Sequence, residues 1–71
     1  MTSVTLAYLD GIAEGRDTLK ALVANGLSRR EAAQSGLDTI QRVISLKFSG
    51  EMAEFNRGQR DFFANQLKRK D

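Results

Sequence analysis

Three phenylalanines, Phe48, Phe55 and Phe62, recur at intervals of seven, a spacing that returns each ring to nearly the same face of an α-helix. The last third of the chain, Phe48 to Lys70, is therefore read as a helix with an aromatic seam. Nothing upstream offers that seam a sheet to pack on. The chain has no proline, and its longest period-two run with β-branched residues is the opening Ser3-Val4-Thr5-Leu6. The expectation is an all-α protein.

From Val4 to Ala24 the residues Val4, Tyr8, Ile12, Leu19, Leu22 and Val23 share one arc of a helical wheel, with Thr2 or Ser3 available as N-cap. Ala7, Gly11 and Gly15 run along the edge of that arc, four residues apart. Each glycine costs about 1 kcal/mol relative to alanine inside a helix. Two readings stand: a seam where another backbone comes close, or a helix that starts later or kinks at Gly15. Asn25-Gly26 closes the helix. Ser28-Arg29-Arg30-Glu31 then has the form of a capping box and opens a second helix. Running on to Phe48, that helix aligns Ala33, Leu37, Ile40, Ile44 and Phe48 on one face. Breaking at Ser35-Gly36, it makes Asp38 a new cap. The continuous face favours the unbroken helix.

Ser49-Gly50 marks the next interruption, with Ser49 as cap and Glu51 near the positive end of a last helix. On that helix Phe48, Met52, Phe55, Phe62, Phe63 and Leu67 form the apolar arc, and Gln59 and Gln66 sit inside it. Buried polar residues of this kind can fix register or partner number. The outer face pairs Arg57 with Asp61 at a spacing of four, and the cationic end Lys68-Arg69-Lys70 suits the negative end of the dipole. The predicted layout is one domain over 1–71, a helical hairpin or three-helix unit with helices over about 4–24, 28–48 and 50–68.

Size turns this into an expectation of association. Seventy-one residues bury a small core, and with neither Cys nor His no disulfide, zinc site or Cys/His nucleophile can be built. A dimer is the simplest remaining route, with Phe48, Phe55, Gln59 and Phe62 as the self-associating seam. The net charge of +2 is far below the one-sided basic surface of a phosphate-neutralising protein. No secretory leader and no run near the roughly 20 apolar residues of a membrane span is present, so a cytoplasmic location is expected. A membrane-surface helix is disfavoured because Glu54 and Asp61 interrupt the polar face.

Residues Gly26 to Ile44 resemble the helix-turn-helix of bacterial regulators, through Gly26-Leu27-Ser28, Ala32-Ala33, Gly36-Leu37 and Thr39-Ile40-Gln41-Arg42. The resemblance implies Thr39, Gln41 and Arg42 as DNA contacts. It departs from the motif at Ile40, which arrives about two residues too soon for the second helix to pack. More broadly, the stretches Ala7 to Arg16 and Arg57 to Leu67 are similar to those of small helical accessory proteins carried by temperate phages. That resemblance implies a protein that binds and redirects a host protein.

Catalysis has no visible support: acid-base chemistry would rest on carboxylates or lysines alone, and Asp10, Glu14 and Asp17 read as a solvent face. No cofactor or metal site is expected. The function expected is a non-enzymatic regulatory or inhibitory protein acting by protein-protein binding. Its contact residues are expected at Arg57, Arg60, Phe63, Lys68 and Arg69, with Phe63 at the edge of the arc as the ring left for a partner. The alternative is a DNA-binding regulator using residues 28–44.

Overall fold

The computed structural model describes residues 2–69, with side chains from residue 6 onward. Three helices make up the fold: α1 (Thr2–Ala24), α2 (Arg29–Ile44) and α3 (Gly50–Lys68). Thr2, Ser3 and Val4, expected to cap and open the first helix, have side chains outside the described residues, as has Lys70 of the cationic end. The long dimension of 37 Å is close to the ~34 Å that 23 helical residues span. α1 therefore sets the length of the molecule.

The turn after α1 is a Schellman closure: the Gly26 amide donates to Val23 O at 3.0 Å and the Leu27 amide to Leu22 O at 3.2 Å. Gly26 takes φ 108, which residues with a Cβ rarely adopt. The capping box follows: Ser28 Oγ accepts from the Glu31 amide at 3.1 Å, and Glu31 Oε1 accepts from the Ser28 amide at 3.0 Å. The Ser28 amide, and after it the Ser28 hydroxyl, hold the Glu31 carboxyl below its ordinary pKa, and the box satisfies two otherwise orphaned donors.

α2 runs unbroken through Gly36 but stops at Ile44, four residues before the expected end at Phe48. Lys47 takes a left-handed φ of 61, and its amide donates to Ile44 O at 2.9 Å. Phe48 therefore lies in the α2–α3 turn and on neither helix. Ser49 is the N-cap of α3 by position, without a side-chain hydrogen bond.

α1 and α3 run parallel, since Gly11 meets Phe55 and Gly15 meets Phe62. α2 is antiparallel to both: Arg29 reaches Gln66, Gly36 holds the ring of Phe63, and Ile44 lies near Asn56. The closest approach is between α1 and α3. A Cβ on Gly11 would collide with the Phe55 carbonyl, and one on Gly58 with the Tyr8 carbonyl and the Ile12 nitrogen. The two glycines interlock backbone against backbone, so α1 uses its small-residue row as a seam. Val23, expected inside, is exposed in consequence.

The buried core is Leu19, Ala32, Ala33, Ile40 and Phe63, ringed by Leu22, Leu27, Leu37, Val43, Ile44, Phe62 and Leu67. It is densest toward the end where α1 finishes, α2 begins and α3 finishes. Phe63 is 1% exposed, and it stands edge-on to Phe62 with centroids 5.6 Å apart and planes at 74°, a favoured aromatic geometry. The expectation that Phe63 is left for a partner is overturned: with no Cβ at Gly36, its ring enters α2's surface and becomes the centre of the core.

Candidate functional site

The face between α1 and α3 carries a polar cluster. Tyr8 Oη donates to Asp61 Oδ2 at 2.6 Å, and Arg60 donates to Asp61 Oδ1 from Nε at 3.1 Å and from its terminal nitrogen at 2.9 Å. Burial pushes the Asp61 carboxyl up, but the Tyr8 and Arg60 hydrogen bonds and the charges of Arg60 and Arg57 outweigh it, and its pKa lies below 3.8. The hydrogen bond to Asp61, with desolvation behind it, raises Tyr8 above 10.0. The expected partner Arg57 pairs instead with Glu54, at 3.4 Å.

These shifts set a pH window. Asp61 is depressed in the fold, so its stabilisation holds above 3.8 and is lost as pH falls through the lowered folded value. Tyr8 is raised, so its stabilisation holds below 10.0 and is lost as pH rises through the folded value. Thermal melts are expected to show a plateau between these limits with a fall on either side. Tyr8→Phe should flatten the alkaline fall, and an alkaline limb unchanged in that variant would contradict the assignment.

On the other side of α3, Ile44, Phe48, Ala53, Asn56, Arg57 and Arg60 line a cavity of about 190 Å³. Asn56 is 4% exposed, and its Nδ2 meets no acceptor among the described residues. Wheel placement did not single out this residue. Its signal in the sequence was a short amide one position from the aromatic seam, which is also what a solvent-facing residue looks like.

The third feature is the end of the bundle opposite the dense core. Leu6 and Leu9 at the start of α1, Leu46 and Phe48 in the α2–α3 turn, and Met52 at the start of α3 all lie there, each at least 45% exposed. Asp10 and Glu51 flank Met52 and Phe55 in the α1–α3 groove, whereas Arg57 and Arg60 border the cavity on the α2 side. Glu54 pairs with Arg57 and Asp61 with Arg60, so that side carries both signs of charge together.

Of the residues expected to self-associate, only Phe48 is exposed, at 45%. Phe62 packs within the chain on Gly15, Gln59 presents its backbone to Gly11, and Phe55 is half-buried beside that crossing. Among the expected contact residues, Arg57 and Arg60 come together at the cavity, while Lys68 and Arg69 lie exposed at the far end of α3. Gln66 accepts from Arg29 at 3.1 Å, and Arg30 donates to Leu67 O at 3.4 Å, tying α2 to the end of α3.

Thr39, Gln41 and Arg42 are exposed on α2. Because α2 is continuous from Arg29 to Ile44, residues 28–44 contain no turn, and the expected helix-turn-helix is not formed there. Among the described residues no group of three or more acidic side chains is placed to hold a metal, and no helix is long and apolar enough to cross a membrane. The chain matches no protein-family model, no curated protein and no solved structure.

Proposed function

We propose that this chain is a small non-enzymatic regulatory or inhibitory protein that acts by protein-protein binding, as its resemblance to phage accessory proteins implies, and that its apolar end is the surface through which it dimerises. What carries the reading is the concentration of Leu6, Leu9, Leu46, Phe48 and Met52 at one end. A single exposed apolar residue needs no explanation, whereas several gathered at one end of a bundle are a candidate interaction surface.

The occupant we assign to this end is a second copy of the chain. In a two-fold contact the same patch serves both subunits. A small core adds the thermodynamic motive, because association buries apolar surface that one chain of this length leaves wet.

The reading is tested by recording amide spectra from millimolar to low micromolar protein. The signals of Leu6, Leu9, Leu46 and Met52 are expected to shift on dilution while those of Ala32 and Ala33 stay fixed. Spectra that superimpose throughout would contradict it.

A further inference from the structure

We infer that the end of the bundle where α1 and α3 finish and α2 begins is a docking surface for an acidic protein segment that carries an aliphatic side chain. The inference rests on the proposed role as a protein-binding regulator and names the chemistry of the partner. Lys20 of α1, Arg29 and Arg30 of α2, and Lys68 and Arg69 at the close of α3 gather at this end, where Arg29 donates to Gln66 and Arg30 to Leu67 O. Arg29 is thus engaged within the chain. Among the described residues Lys20, Arg30, Lys68 and Arg69 form no ion pair, in contrast to Arg57 and Arg60. The Arg30 bond ends on a neutral carbonyl and leaves its charge uncompensated. The nearest acids are Asp17, one turn before Lys20 and not paired with it, and Glu31, whose carboxylate is taken up by the capping box.

Folding accounts for only part of this charge. A cation is stabilising in the last turn of a helix and unfavourable in the first. That explains Lys68 and Arg69 at the end of α3. Lys20 falls short of the last turn of α1, and Arg30 stands in the first turn of α2. Unpaired like charges held at one end repel one another, and an anionic partner removes that repulsion and is steered toward it. Beside the cations, Leu19, Val23 and Ala24 form an apolar groove along α1 that Lys20 and Arg29 also line, with Val23 43% exposed. A phosphate backbone makes no use of an aliphatic groove. The combination therefore favours a peptide over a nucleic acid, with carboxylates meeting Lys20, Arg30 and Lys68 and an aliphatic side chain on Val23.

The test uses the Leu46→Ser/Met52→Ser variant, altered at the opposite end so that self-association does not enter. It is titrated with a synthetic peptide that alternates pairs of glutamate with leucine. Amide spectra are expected to show saturable shifts at Lys20, Val23, Arg30 and Lys68, with Leu9 and Phe48 unmoved. Replacing the peptide's glutamates by glutamine, or its leucines by serine, should weaken binding at least tenfold. Lys20→Glu/Lys68→Glu and, separately, Val23→Ser should each weaken it to a similar degree while melting near the parent temperature, since all three side chains are exposed. Absence of saturable peptide binding, equal binding of the glutamine peptide, or binding unchanged in Lys20→Glu/Lys68→Glu would overturn the inference. So would a DNA duplex that shifts the same residues where the peptide does not. Peptide binding by a parent chain that stays monomeric would support this surface and count against the dimer alone.

Discussion

Gly58→Ala is expected to destabilise the protein, although the same change inside an unhindered helix stabilises by about 1 kcal/mol. The added Cβ would meet the Tyr8 carbonyl and the Ile12 nitrogen. These are backbone atoms, so no rotamer change can make room. α1 and α3 must move apart, and the separation loosens contacts along the whole of their shared face. Overpacking of this kind costs about 1–3 kcal/mol and occasionally more. A net loss of about 2 kcal/mol corresponds to roughly 8–16 °C in melting temperature for a domain of this size.

Gly11→Ala should behave alike, because its Cβ would strike the Phe55 carbonyl. Gly15→Ala should cost less. Its nearest neighbours are side-chain atoms of Phe62, the closest at 3.0 Å, and a half-buried ring can give. Thermal melts of the three variants test this order directly. A Gly58→Ala protein that melts at or above the parent would show that the helices are not locked by the glycine crossing.

Phe63→Ala is expected to have the largest effect of any single truncation. Emptying a fully buried aromatic site costs about 3–5 kcal/mol, and a single core below 70–80 residues rarely supplies more than about 3–5 kcal/mol in total. The variant should therefore lack a cooperative melt at 25 °C. Gly36 gives a finer test, since a Cβ there would strike the Phe63 ring. Gly36→Ala alone should destabilise, and in a Phe63→Leu background the same change should cost markedly less. A double-mutant cycle without such coupling would show that the ring does not occupy the Gly36 notch.

The parts of the fold readable from the sequence were local ones. Asn25-Gly26 and the Ser28–Glu31 box announce their own hydrogen bonds through residue type and spacing, and both turns form as those residues dictate. The Gly11 and Gly15 row was visible but ambiguous, because a helical glycine looks the same whether it admits a neighbour or merely weakens the helix. What resolves it is Gly58, 47 positions after Gly11, and no periodicity links the two. Phe63 was misplaced for a related reason. Wheel position assigns it to the edge of the arc, and only the missing Cβ of Gly36 on another helix makes that edge the deepest point.

The apolar end was hidden by a different effect. Phe48 fits both the second and third helical patterns, and the left-handed Lys47 removes it from each. Leu6 and Leu9 become conspicuous only when the parallel course of α1 and α3 brings them to the end that also carries Leu46 and Met52.

Sedimentation equilibrium over a range of loading concentrations tests the central claim most directly. The parent chain, of 7.9 kDa, is expected to approach twice that mass at high concentration. The double variant Leu46→Ser/Met52→Ser, altered at side chains that are 68% and 52% exposed, is expected to remain at the mass of one chain with its helical content intact. A parent that stays monomeric at the highest concentration, or a variant that dimerises as the parent does, would contradict the account.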